Sequence, residues 1–196
     1  IEPLAVGFHA ANQGGARLGQ KAVVMGAGCI GLMTLLALKA FGVTEVYVVD
    51  VMENRLAKAK ELGAAGIING KEQDAVEELM RATAGKGMDL CIDTAGSQIT
   101  MNQCIGAAAK GAAVVFVGYS AQDQVSLDIN NALNKELTFK TVFRYRNLYP
   151  LAIEAVSQGL NVKGVVTDFF KFDDVRKAMR SEEHTSELQS RRRISY

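Results

Sequence analysis

The chain has 196 residues, 48% hydrophobic and 22% charged, enough to bury a core without disulfide or metal staples. Its 22 Lys+Arg against 21 Asp+Glu give a formal net charge of +1, which argues against a nucleic-acid or other polyanion-binding surface. Two prolines exclude a proline-rich chain, and the scattered Cys29, Cys91 and Cys104 exclude a disulfide frame or zinc knuckle. They read instead as buried thiols of a reducing, cytoplasmic compartment.

In chain order, Ile1 opens without an initiator methionine or a basic leader, which predicts a fragment whose start lies upstream. His9 sits in an Ala-rich, helix-like stretch and reads as structural. Residues 22–25 form a short apolar run feeding a glycine turn, and residues 30–41 follow as a buried helix, apolar on nearly every face. The seventeen uncharged residues 22–38 approach the length of a membrane span, but Gly26, Gly28 and Gly31 interrupt them. Strand, turn and buried helix explain the run better, and no membrane association is expected. Residues 46–49 read as the next strand, ending at Asp50, and 53–62 as a helix closed by Gly63.

Further strands are expected at 67–68, 90–92, 113–117 and 137–143, with helices at 73–83 and 98–109 between them. The charged run 71–81 reads as a solvated helix face. Short apolar strands separated by helices predict a doubly wound α/β domain with a parallel sheet, the Rossmann arrangement. The stretch from Arg180 to Ser190 resembles the translation of a sequencing adapter and runs into Arg191, Arg192 and Arg193. Residues 180–196 are therefore expected to be a non-native tail, and without them the charges balance.

The glycine turn carries the first chemistry. Gly26-Ala27-Gly28-Cys29-Ile30-Gly31 is a GxGxxG pattern that follows a strand, opens a helix and is answered by Asp50 at the end of the next strand. Gly26 would make the tight turn, Gly28 admit a pyrophosphate, and Gly31 let helix and strand approach. The pyrophosphate would sit on the helix N-terminus, where free N–H groups and the dipole favour an anion.

Asp50 is expected to bind both hydroxyls of the adenosine ribose; capping of the next helix is the plainer alternative. A 2′-phosphate about 4 Å from that carboxylate would cost about 1 kcal/mol in water and about 4 near a protein surface, so NAD is favoured over NADP. Arg55 could soften the penalty. Asp93 and Thr94 would line the adenine side or cap a helix, and Cys29 reads as an inert thiol. A methyltransferase GxGxG is absent, since the residue two beyond Gly28 is Ile30. The Tyr-x-x-x-Lys pair of short-chain dehydrogenases is absent too: Val51, Asp123, Tyr149 and Ile153 stand four residues after Tyr47, Tyr119, Tyr145 and Tyr149.

Three elements carry a resemblance: residues 2–7 (Glu-Pro-Leu-Ala-Val-Gly), the 26–31 loop with Asp50 and Arg55, and Val142-Phe143-Arg144-Tyr145. Together they resemble the zinc-dependent medium-chain dehydrogenases, most closely the sorbitol (L-iditol) and xylitol dehydrogenases. The likeness implies a dinucleotide-binding domain at 1–163 and a segment at 164–179 that returns to a GroES-like catalytic domain. That domain, with the family's zinc-binding Cys and His-Glu pair, would lie upstream of Ile1. Only Glu2 matches a position close to metal and substrate, directly or through water. By position, Ile30, Asp50 and Arg55 match contacts to pyrophosphate and adenosine. Val117, Gly118 and Tyr119, with Val142, Phe143 and Arg144, match the stretches beside the nicotinamide. Arg144 and Tyr145 would face a polyol, whose hydroxyls need such donors. Read without the likeness, Arg144 and Arg146 are strand-end cations, and Tyr145 and Tyr149 are packing residues.

The implied reaction is oxidation of a secondary hydroxyl of a polyol to a ketose, with zinc as Lewis acid and hydride passing to NAD. This chain alone is expected to bind NAD without turnover, leaving Val165, Phe169, Phe170 and Phe172 exposed. The family's strand at 137–143 pairs with its twin, implying a homodimer or tetramer. A stand-alone NAD-binding or assembly module is the reading of another class. A relative acting on threonine or simple alcohols would differ only in the Phe-Arg-Tyr element.

Overall fold

The computed structural model describes residues 1–184, the side chains of 181–184 excepted. Helix α1 (Glu2–Gln13) leads to strand β1 (Lys21–Met25), then α2 (Cys29–Ala40), β2 (Glu45–Asp50), α3 (Glu53–Glu61) and β3 (Gly66–Asn69). The second half runs α4 (Ala75–Ala82), β4 (Met88–Asp93), α5 (Gln98–Ala107), β5 (Ala108–Phe116), α6 (Ile129–Asn134) and β6 (Thr138–Thr141). Helices α7 (Tyr149–Ser157) and α8 (Val175–His184) complete it, with 3-10 turns at Val162–Val165 and Phe172–Asp174 between them.

The six strands form one sheet in the order β3-β2-β1-β4-β5-β6. Every pair is parallel, with Val24 beside both Val48 and Ile92. This is the expected doubly wound domain. The chain reverses direction across the sheet between β1 and β4, and in such sheets ligands bind beyond the strand C-termini at that point.

A parallel sheet needs cover on both faces, and the core divides accordingly. One cluster joins Leu4, Phe8, Val24, Leu35, Leu38, Val48 and Ile92, seating α1 and α2 on one side. The other joins Val23, Met25, Leu79, Cys91, Cys104 and Val114 beneath α4 and α5. Local caps fix where those helices begin. Asp74 accepts from the Val76 and Glu77 N–H groups, and Ser97 with Thr100 forms a reciprocal capping box.

Several boundaries depart from the sequence reading. Helix α5 ends at Ala107, and residues 108–109 belong to β5, where a register shift lies between Met88 and Leu90. Gly87 explains it: a Cβ there would fall 2.6 Å from the Ala109 nitrogen, so the two strands touch early through backbone. Lys135 Nζ then closes α5 by donating to the Ile105 and Gly106 carbonyls. Helices α6 and α7 were not anticipated. Strand β6 is shorter than the expected 137–143, and its four residues are exposed at the sheet edge.

Phe169 and Phe172 are 90% and 91% exposed, and Phe170 is also exposed, as expected. Val165 corrects that expectation, since it packs partly buried against the core. Of the tail expected to be non-native, residues 185–196 lie outside the described residues. None of the helices among the described residues is long and apolar enough to cross a membrane.

Candidate nucleotide cradle and aromatic wall

The cradle is built where β1 meets α2. Gly26 turns with φ +99°, and its N–H donates to the Val49 carbonyl at 2.7 Å, tying the turn to β2. A Cβ on Gly31 would lie 2.0 Å from the Gly26 carbonyl oxygen, so no side chain fits where helix and turn meet. Gly28 is the N-cap of α2, makes no side-chain cap, and a Cβ there would meet nothing within 4 Å. A helix N-terminus approached over a glycine of this kind is the arrangement that receives a pyrophosphate. The turn and helix end suit the pyrophosphate of a dinucleotide.

Asp50 locks the turn from the neighbouring strand. Its Oδ2 accepts from Ala27 N–H at 2.6 Å, and its Oδ1 from Val51 and Met52 N–H at 2.7 and 2.9 Å. Arg55 Nη1 stands 4.0 Å from Oδ2. A carboxylate has about four lone-pair sites, and three are taken by backbone donors. At most one acceptor site is left for a ligand, fewer than the pair expected for two ribose hydroxyls. The capping alternative is corrected, because the N-cap of α3 is Met52 without a side-chain cap, and Asp50 instead fixes the turn between β2 and α3 and the glycine loop.

Asp93 and Thr94 close the cradle from β4. Thr94 Oγ1 donates to the Met25 carbonyl at 2.9 Å and approaches the Gly26 carbonyl at 3.3 Å. Asp93 is fully buried, and its carboxylate accepts from Ala95 and Gly96 N–H at 3.3 and 3.0 Å. Burial pushes its pKa up to about 6, against the pull of those N–H groups. The cap of α5 is Ser97, so Asp93 shapes the preceding loop instead. Sequence reasoning missed the next contact. Gly96 and Gly118 meet backbone to backbone, where a Cβ would fall 2.2 Å from Tyr119 O or 2.3 Å from Gly96 N.

At the same end of the sheet, the two stretches expected beside the nicotinamide lie together. Val117 and Gly118 N–H donate to the Asp93 carbonyl, and Val142 N–H donates to the Phe116 carbonyl. Val142 is buried, whereas Tyr119 and Phe143 are exposed and meet edge to face at 6.4 Å. Arg144, at φ +57°, lays its guanidinium 5.3 Å from the Phe143 ring centroid. Tyr145 and Tyr149 continue the wall, with rings 4.8 Å apart and hydroxyls 3.4 Å apart.

That hydrogen bond, with burial and the charges of Tyr145 and Glu2, pushes the Tyr149 phenol up to about 12. Glu2 is thus within electrostatic reach of the wall, although it contacts neither Arg144 nor a metal-ligand cluster. His9 is buried with its Nδ1 unpartnered, and burial together with Arg146 holds its imidazole below the ordinary value.

The described residues do not by themselves fit a zinc ion. The described residues contain no group of three or more His, Cys, Asp or Glu side chains able to hold a metal. None of the three cysteines forms a disulfide, and burial pushes the Cys91 thiol up to about 12.

Comparison with known proteins agrees with this geometry. A family model described as zinc-binding dehydrogenase matches residues 29–158. An uncharacterized zinc-type alcohol dehydrogenase-like protein of Escherichia coli is 43% identical over 179 residues, covering 91% of this chain and 51% of the relative. A sorbitol dehydrogenase of Bacillus subtilis is 36% identical over 180 residues, with the same shares. A solved alcohol dehydrogenase of Escherichia coli complexed with NADH superposes with TM-score 0.84 at 28% identity, covering 96% of this chain and 55% of that one. The chain spans about half the length of the relatives it matches. With the matched segment covering more than half of it, the chain belongs to the zinc-binding dehydrogenase family.

Proposed function

We propose that this chain is the NAD-binding part of a zinc-dependent polyol dehydrogenase and that it binds NAD without turning over alone. The observation that carries this reading is the α2 N-terminus at Gly28, which carries no side-chain cap and is held against the Asp50 carboxylate by the 2.6 Å bond from Ala27. Gly26, Gly28, Ile30 and Gly31 would receive the pyrophosphate. Asp50 and Arg55 would take the ribose, Asp50 with its one remaining acceptor site. Val117, Gly118, Tyr119, Val142 and Phe143 would flank the nicotinamide, which when bound supplies a hydride acceptor. Arg144 and Tyr145 would donate to substrate hydroxyls, with Glu2 at the rim. Zinc would be held by the portion of the relatives that this chain does not span.

The exposed edge strand β6 favours a second role beside this one, pairing with a second copy to form a homo-oligomer. The test is calorimetry on the purified chain with NAD and NADP. NAD is expected to bind, with NADP weaker by tens of fold or more, because the 2′-phosphate meets the fixed Asp50 charge. No polyol-dependent NADH should form. Absence of NAD binding sinks the cofactor reading, and NADH formation by the chain alone sinks the claim that it is incomplete.

A further inference from the structure

Strand β3 ends beside the cradle, and its last residue makes a contact that the glycine turn does not require. Asn69 is buried and stands in register with Asp50 on the neighbouring strand. The Gly70 N–H that follows it donates to the Asp50 carbonyl at 3.0 Å, so backbone ties the two strand ends together. Both ends of the Asn69 amide are engaged: Oδ1 accepts from Lys71 N–H at 3.1 Å, and Nδ2 donates to Glu53 Oε1. Glu53 is the first residue of α3, three after Asp50, where a carboxylate ordinarily does no more than favour its own helix N-terminus. Here it also reaches across to β3. Its side chain is exposed and forms no ion pair among the described residues. The Asn69 bond therefore holds a second negative charge at the end of the sheet where Asp50 stands. The first is partly offset, because Arg55 Nη1 lies 4.0 Å from Asp50 Oδ2 and three backbone N–H groups donate to the same carboxylate.

We propose that Glu53, oriented by Asn69, is a specificity-determining residue that keeps a 2′-phosphate from the adenosine ribose, so that the choice of NAD over NADP rests on two carboxylates and not on Asp50 alone. This rests on the NAD-binding reading and deepens it. Asp50 is bound up in holding the turn, and Arg55 beside it would welcome a phosphate. Glu53 restores the repulsion from the strand next door. A ribose with free hydroxyls is neutral and feels little of that charge, whereas a 2′-phosphate meets it directly, so Glu53 acts on one cofactor and not the other.

The experiment measures NAD and NADP affinity by calorimetry for the purified chain and three variants, with the unfolding midpoint of each. Glu53→Gln keeps an acceptor for Asn69 while removing the charge. It is expected to raise NADP affinity about five-fold or more, with NAD affinity and midpoint unchanged. Added salt should shrink that difference between parent and variant, since it screens charge and leaves a structural bond alone. Asn69→Ala keeps the charge but frees it, and should give a smaller gain in the same direction. Glu61→Gln makes the same change of charge at the far end of α3, and should leave the ratio of the two affinities as it was. An unchanged ratio in Glu53→Gln overturns the proposal, and so does an equal gain in Glu61→Gln, which would mark net charge only. Loss of both cofactors together in Glu53→Gln overturns it as well, by marking a purely structural bond. No gain in Asn69→Ala overturns the orienting role of that residue. NAD binding with a ratio that Glu53 does not move defeats this inference alone; failure of the parent chain to bind NAD defeats it together with the reading beneath it.

Discussion

The cradle at Gly26–Asp50–Thr94 and the wall from Tyr119 to Tyr149 lie at the same end of one sheet, yet they are built oppositely. In the cradle nearly every polar group already has a partner: Asp50 spends three acceptor sites on backbone, and Thr94 pins the turn from β4. On the wall, Tyr119 and Phe143 are 68% and 66% exposed, and contacts are ring against ring. The cradle is completed by the fold itself and needs only its ligand. The wall presents apolar and cationic surface that gains its remaining contacts from something else.

The comparison breaks most sharply at Gly31. An alanine there places a methyl 2.0 Å from the Gly26 carbonyl oxygen, and the Gly26 backbone on one side and Thr94 Oγ1 at 3.0 Å on the other leave it little room. Gly31→Ala is expected to cost roughly 3 kcal/mol, the upper part of the overpacking range, and to abolish NAD binding. Denaturant unfolding with calorimetry checks both. A substitution on the wall such as Tyr119→Ala, at an exposed ring, should leave stability within about 0.5 kcal/mol.

Asp93 tests the cradle's buried charge. Its pKa is raised from 3.8 to about 6, chiefly by burial, so the native state holds the proton more tightly than the unfolded chain does. Between about pH 4 and 6 the native state therefore binds more protons, and this group's contribution to stability falls as pH rises through that window. The full swing is about 3 kcal/mol, from roughly two pKa units at 1.36 kcal/mol each. His9, lowered by burial and Arg146, works in the other direction, losing stability as pH falls. Asp93→Asn should remove the first dependence and leave the second, so the difference between the two stability profiles isolates Asp93. A profile unchanged by the substitution would mean that the carboxyl does not titrate in this window.

How much of this was legible in the sequence follows the same division. The 26–31 spacing, the strand before it and Asp50 after it are local signals, and the structure places them as the motif requires. Helix α7 announced itself only through Pro150 in its first turn. Helix α6 has six residues and no comparable mark. The Thr94 bond to Met25 joins residues 69 apart, and the Gly96–Gly118 contact joins two different loops; one sequence holds no record of such pairs. Residues 119, 143 and 145 are grouped in the sequence only through the family likeness, and their ring contacts become visible once β5 and β6 stand side by side.

Thr94 gives the smallest effect and the finest separation. Its Oγ1 donates to the Met25 carbonyl at 2.9 Å, but that oxygen also accepts from Thr94 N–H at 2.8 Å. Thr94→Val keeps the shape and the backbone bond while removing the hydroxyl, so no carbonyl is orphaned and the expected cost is about 1 kcal/mol. Thr94→Ser keeps the hydroxyl and removes a methyl. If the hydrogen bond fixes the turn, Ser should match the parent in NAD affinity while Val weakens it. If packing against Gly26 and Gly31 fixes it, the order reverses, because a Cβ at either glycine would already lie within 3.0 Å of Thr94 Oγ1. The NAD affinities of the two variants, measured with their unfolding midpoints, therefore decide whether the cradle is held by a directed bond across the sheet or by the absence of room.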